Sequence, residues 1–142
     1  MPLLRFQILI RVLALAILSG ASASAAELEV EVLGADARGV VFVALFDTSD
    51  AYEENRPIGD RETSATGKAV KVSFENLAPG DYGIKVFHDR NSNGEIDTGF
   101  FGIPKEPYGF SNDARGRMGP PDFDQVRFSV EDEKTSIQVH LQ

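Results

Sequence analysis

The run Glu27-Leu28-Glu29-Val30-Glu31-Val32 sets a carboxylate and an apolar side chain on alternate residues. A helix would scatter those apolar groups around its circumference. An extended chain instead gathers Leu28, Val30 and Val32 on one face and the glutamates on the other. The same period of two returns in Val70, Val72 and Phe74, in Tyr82, Ile84 and Val86, in Val126, Phe128 and Val130, and in Ile137, Val139 and Leu141. The stretch Gly39 to Asp47, GVVFVALFD, is apolar at both parities and reads as a central strand covered on both faces. Hairpins are predicted across Pro79-Gly80 and across Glu131 to Lys134. The polar segment Thr48 to Gly67, broken by Pro57, reads as a loop with one helical turn near Asp50 to Asn55. With no amphipathic helix, the pattern predicts an all-β fold. It is an antiparallel β-sandwich, immunoglobulin-like or transthyretin-like, of about seven strands with one long aromatic loop.

The chain opens differently. Arg5 and Arg11, an apolar run from Val12 to Leu18, and small residues ending in Ala-Ser-Ala-Ala have the order of a secretory signal peptide. Residues 1–26 are therefore expected to be removed on export, leaving residues 27–142 as a single β-sandwich domain. The expected location is periplasmic or extracellular, with no membrane span after cleavage, because the apolar run falls short of the roughly 20 residues a span needs. Formal charge is −8 for the whole chain, and losing the two leader arginines takes it to −10. Such acidity disfavours nucleic acid and anionic membrane surfaces and suits cations. The chain has no cysteine, so a disulfide framework, a thiol nucleophile and a zinc–thiolate site are all excluded.

Chemistry concentrates after the fourth strand. In HDRNSNGEIDTGFFGIP, Asp89, Asn91, Asn93, Gly94 and Asp97 occupy the first, third, fifth, sixth and ninth places of a calcium-loop pattern. The pattern delivers oxygens on alternate residues and a glycine at the sharp turn. Glu95 would add its backbone carbonyl from the seventh place. The twelfth place, where a carboxylate should grip the ion with both oxygens, is Phe100. Glu106, Asp113, Asp122 and Asp124 are candidates to replace it. The same letters also spell a metal-free turn, since Asn-Gly and Asx side chains cap turns through the backbone. Both readings stand at this point. His88 continues the inward parity of Tyr82, Ile84 and Val86 and is expected at the rim of the core.

From His88 to Asp122 about 35 residues show no regular period, far beyond a usual connection. Phe100, Phe101, Ile103, Tyr108 and Phe110 crowd this loop. They are expected to fold back over an open end of the sandwich, with an aromatic platform for a ligand as the functional alternative. Arg115 and Arg117 read as salt links to nearby acids or as an anion clamp.

The loop sequence, with FENLAPGDYGIKVFHD before it, resembles a family of exported bacterial proteins known only as a domain of unknown function. Its members carry a signature of the form H-D-x-N-x-N-G-x-x-D-T-N-F-F-G-I-P-x-E-G-Y-G-F-S-N. Gly99 and Pro107 depart from it, standing where Asn and Gly are usual. By matching residue the resemblance marks His88, Asp89, Asn91, Asn93, Gly94, Asp97, Phe101, Gly102, Pro104, Glu106, Tyr108, Gly109, Phe110, Ser111 and Asn112. The strand pattern is also similar to transthyretin-like and carboxypeptidase-regulatory-like sandwiches, an analogy of fold that assigns no activity.

No nucleophile elbow, zincin helix or cysteine is present, so no catalytic residue is assigned. The expected function is non-enzymatic binding of an unknown protein or small-molecule ligand through the His88–Asp122 loop. His88, Phe101, Glu106, Tyr108, Phe110, Asn112 and Arg115 are the expected ligand contacts. Calcium held by Asp89, Asn91, Asn93, Glu95 and Asp97 is the candidate ordering ion. One alternative is a small envelope hydrolase using His88 with Asp89 or Asp97. The other is an accessory domain of a surface assembly that pairs through an edge strand.

Overall fold

Strand β1, Ala26–Leu33, buries Leu28, Val30 and Val32 completely and leaves its glutamates at the surface, as its alternation requires. The computed structural model describes residues 25–131 and 133–142. Nearly all of the expected leader, with its basic and apolar stretches, lies outside them. Of the expected leader only Ala25 and Ala26 are described, and Ala26 is already the first residue of β1.

The other elements are β2 (Val40–Phe46), α1 (Ser49–Glu53), β3 (Gly59–Ser64), β4 (Val70–Leu77), β5 (Gly80–Asp89), β6 (Tyr108–Phe110), α2 (Phe123–Val126), β7 (Phe128–Val130) and β8 (Lys134–His140). They build two sheets, one in the order β4-β1-β8 and one in the order β3-β2-β5-β6, with β7 also pairing with β5. The fold is an all-β sandwich. Its core lies between the sheets, where Leu28, Val30 and Val32 meet Val41, Val43, Leu45, Ile84 and Val86. Each such side chain, fully buried, contributes about 1.5–3 kcal/mol.

Several local expectations are corrected by the pairing. The β4 and β5 strands meet at the Pro79-Gly80 turn but do not form a hairpin, because β4 pairs with β1 and β5 with β2. The turn is a corner between sheets, and Tyr82 closes it by donating its hydroxyl to the Ala78 carbonyl at 2.6 Å. Glu131 to Lys134 is likewise a crossing between sheets, since β7 pairs with β5 while β8 runs parallel to β1. That parallel pair departs from the antiparallel expectation. The segment Thr48 to Gly67 is not only loop: it carries α1, capped by Thr48 Oγ1 accepting from the Ala51 amide, and the edge strand β3. Its residues Asp60, Arg61 and Glu62 are solvated, which hid the strand from a hydrophobic pattern. Finally, Phe123–Val126 is a helical turn and not the start of a strand, although Val126 is buried as its parity suggested. Asp122 and Gln125 form a reciprocal capping box that sets this turn.

A second apolar cluster joins Phe46, Ala51, Tyr52, Phe110, Phe123 and Val126, where α1 and α2 pack on β2 and β5. Lys85 threads this cluster. Its ammonium lies 4.1 Å from the Tyr52 ring centre and donates to the Tyr52 carbonyl at 2.7 Å. Burial holds the Lys85 pKa below the usual lysine range and pushes the Tyr52 phenol up, with Asp122 adding to the latter.

Candidate functional site

The long loop is a built structure. After β5 ends at Asp89, the chain makes a turn at residues 89–97, a tight hairpin at 97–105, the short strand β6, and then α2 on its way to β7. Two buried carboxylates organise the first half. Asp89 is inaccessible to solvent, and its oxygens accept from the Asn93 amide at 3.2 Å and the Gly94 amide at 2.7 Å. Glu106, also buried, accepts from the Arg90 amide at 2.8 Å and from the Asp97 amide at 3.0 Å. One side chain thus ties the exit of β5 to the base of the hairpin.

Between these carboxylates the amides of Asn91 and Asn93 donate to Asp97 at 2.6 and 2.9 Å. Their own oxygens accept backbone N–H groups, Asn91 from Asn93 and Asn93 from Glu95. The five calcium-pattern residues are therefore neighbours in one turn, with Asn91, Asn93 and Asp97 converging and Glu95 exposed. In this arrangement every side-chain oxygen of Asp89, Asn91, Asn93 and Asp97 already faces a donor. Among the described residues no three His, Asp or Glu side chains are gathered closely enough to hold a metal ion. Phe100, at the place of the gripping carboxylate, points into solvent.

His88, next to the end of β5 and paired opposite Val41, is inaccessible to solvent. Its Nε2 lies 2.5 Å from the Arg38 carbonyl. A carbonyl only accepts, so Nε2 is the donor in this contact, while Nδ1 has no hydrogen-bond partner among the described residues. This contact exists because Gly39, at φ +73°, lets the Gly34 to Gly39 turn lie directly on the end of β5. A Cβ there would sit 1.9 Å from the Asp89 carbonyl oxygen. The same turn brings Asp36 to 3.0 Å from the Arg90 guanidinium and 3.1 Å from that of Arg38. The hydrogen bond from Arg38 holds the Asp36 carboxyl below its usual range, and Arg90 adds to this. Asp36 and Gly39 were not singled out from the sequence. Only the fold brings their turn, some 50 residues upstream, against His88.

The hairpin carries the surprise. Lys105 donates its amide to the Asp97 carbonyl at 2.8 Å, Gly99 to Ile103 at 2.7 Å, and Thr98 bridges Pro104. At its apex Phe100 is 91 % exposed, Phe101 99 % and Ile103 63 %. The expectation that the loop aromatics all fold back over the sandwich fails for these residues. Phe101 sits at φ 63° and ψ 20°, a left-handed conformation that costs a non-glycine residue roughly 1–2 kcal/mol. Phe110 does fold back, buried in the second cluster, and half-buried Tyr108 meets it edge to face with ring centres 5.9 Å apart.

The second half of the loop is pinned by Ser111 and Asn112. Strands β6 and β7 share one edge of β5, pairing with Lys85 to Phe87 and Gly80 to Tyr82. In the gap, buried Ser111 Oγ accepts the Ile84 amide at 2.9 Å and donates to the Val126 carbonyl. Asn112 donates to the Gln125 and Arg127 carbonyls at 3.1 and 2.9 Å. Arg115 and Arg117 stay exposed beside a shallow concavity of about 370 Å³ and join no ion pair among the described residues. The other histidine, His140, is exposed and pairs with Asp113 at 2.8 Å.

Of the expected ligand contacts, Phe101 and Arg115 are free to meet a ligand. Glu106 and Asn112 are engaged with backbone, Tyr108 and Phe110 with packing, and His88 is sealed inside. His88, Asp89 and Ser111 are all inaccessible, so no nucleophile or acid–base pair from this set faces solvent.

Fold and loop together define a class: a two-sheet β-sandwich that holds out one hydrogen-bonded loop with an apolar tip. More particularly, the chain belongs to the bacterial family described as an uncharacterized protein conserved in bacteria (DUF2141), whose profile matches residues 30–138. That span takes in the whole loop and both sheets except the outer ends of β1 and β8. No functionally curated protein and no solved structure matches the chain.

Proposed function

We propose that the protein is an exported, non-enzymatic binding module whose contact surface is the tip of the His88–Asp122 loop. The observation that carries this reading is the exposure of Phe100, Phe101 and Ile103 on a hairpin whose base is locked by buried Glu106. Exposed apolar groups on a floppy loop would collapse onto the nearest surface. Here the backbone bonds hold them out, and a left-handed residue is tolerated to do so. The inaccessibility of His88 and Asp89 weighs against the hydrolase alternative. The charged edge of β3 weighs against strand addition there.

The test is sedimentation of purified wild type, and of the Phe100→Ser/Phe101→Ser double variant, with a native envelope extract. Wild type should migrate as a larger species and the double variant should not, while both melt at the same temperature. Equal migration of the two proteins refutes the reading.

Calcium as an ordering ion is the second reading, favoured by the convergence of Asn91, Asn93 and Asp97. A cation would displace the two amide donors from Asp97, with the Asn91 and Asn93 oxygens and the Glu95 carbonyl as further ligands. Melting in calcium, in magnesium and with chelator tests it. A hundredfold excess over the dissociation constant should stabilise the fold by about 2.7 kcal/mol, and Asp97→Ala should abolish the gain. Identical melts in all three conditions reject it.

A further inference from the structure

The tip has a chemistry that names its partner. Among the described residues only five large apolar side chains are exposed, and three of them, Phe100, Phe101 and Ile103, stand together at this apex. The surface is convex, the end of a hairpin and not a groove. Its two aromatic rings and one isoleucine offer an area well below the roughly 800 Å² that each partner contributes to a standard protein interface. A second copy of the chain would therefore gain too little to form a stable dimer through this surface.

Charge is distributed to match. The chain as a whole carries −8, yet Thr98 to Lys105 contains one cation and no acid. The adjoining acids are occupied: Asp97 by the two asparagine amides, Glu106 by two backbone amides. Lys105 lays its stem along Gly99, its Cε 3.2 Å from where a Cβ would be, and has no ion-pair partner among the described residues. A long cationic side chain of this kind can lie on apolar surface and extend its charge to the polar boundary.

Resting on the reading of this loop as the contact surface, we infer that the tip docks on a zwitterionic lipid surface. Phe100, Phe101 and Ile103 enter the boundary between headgroups and acyl chains, and Lys105 reaches a lipid phosphate. A lipid surface needs no shape complementarity, so a small convex apex suffices. The acidic body repels anionic lipid, and this sets a preference for neutral bilayers.

The chain has no tryptophan, so Phe101→Trp installs a single fluorescent reporter at the tip. With vesicles of phosphatidylcholine and phosphatidylethanolamine its emission should shift to the blue, and the protein should co-sediment. The double variant Phe100→Ser/Phe101→Ser should partition at least about tenfold more weakly, since half-burying two phenylalanine rings is worth more than a factor of ten. Adding phosphatidylglycerol should weaken binding further. The absence of both shift and co-sedimentation at millimolar lipid overturns the inference, as does a double variant that binds like wild type. If the reporter ignores vesicles but shifts with lipid-free envelope protein, the lipid assignment falls while the tip remains a contact surface. If it responds to neither, both fall.

Discussion

Replacing Glu106 with alanine should release the hairpin from the sandwich while sparing the core. Glu106 is 6 % exposed, and its carboxylate accepts two backbone amides, from Arg90 at 2.8 Å and from Asp97 at 3.0 Å. Each charge-assisted bond is worth about 1.5–3 kcal/mol when removed. Two such bonds sum to about 3–6 kcal/mol, but two effects reduce the figure. The amides lie near the surface, where water reaches them once the side chain is gone, and burying a carboxylate carries a desolvation penalty that the mutation relieves. A net loss of about 2–4 kcal/mol follows from these magnitudes. Glu106→Gln keeps one acceptor oxygen and turns an NH₂ group toward the other amide, so it should recover no more than half. Urea denaturation gives the energies, and amide hydrogen exchange at Arg90 and Asp97 gives the location. Both amides should lose protection in the alanine variant, while those of β1 keep theirs relative to the new global stability. A loss below about 0.5 kcal/mol, with Arg90 and Asp97 still protected, would show that the hairpin is held by something other than this carboxylate.

Three further outcomes follow from the same geometry. Ser111→Ala leaves the buried Ile84 amide without its acceptor and should cost about 1–3 kcal/mol by denaturation; a neutral result would mean that β6 and β7 close the gap unaided. Gly39→Ala drives a Cβ to 1.9 Å from the Asp89 carbonyl at a left-handed φ, so the unfolding free energy from denaturation should drop by more than the roughly 1–2 kcal/mol of backbone strain alone. Tyr52 has its phenol pKa raised above the ordinary 10.0 by burial first and Asp122 second. The fold therefore favours the neutral phenol, a contribution intact below pH 10 and lost as pH rises above it. Alkaline melting should be steeper for wild type than for Tyr52→Phe, which also loses the 2.9 Å bond to the Pro121 carbonyl and starts lower.

Much of this molecule was written in its local pattern. Strands whose side chains alternate between water and core, such as β1 with its glutamates, β4 and β5, could be read directly, because a period of two has one structural meaning. The turn at Asp89 to Asp97 was legible for the same reason: Asx residues and a glycine bend the chain through contacts within a few positions. The solvated strand β3 was not legible, since its stability comes from hydrogen bonds to β2 and from no apolar stripe of its own.

What only the tertiary structure decided was partnership and exposure. Both predicted hairpins became crossings between sheets, because a local turn signal says that the chain reverses but not which edge receives it. Sequence marked His88, Glu106 and Ser111 as members of one signature, and packing sealed each inside against a backbone partner. It also counted five apolar residues in the loop without telling which would be covered. Phe110 found a pocket between α2 and β5, whereas Phe100 and Phe101 sit on a hairpin whose own hydrogen bonds outweigh collapse. In a loop with no period of its own, burial depends on what the rest of the chain brings near, and local spacing does not encode it.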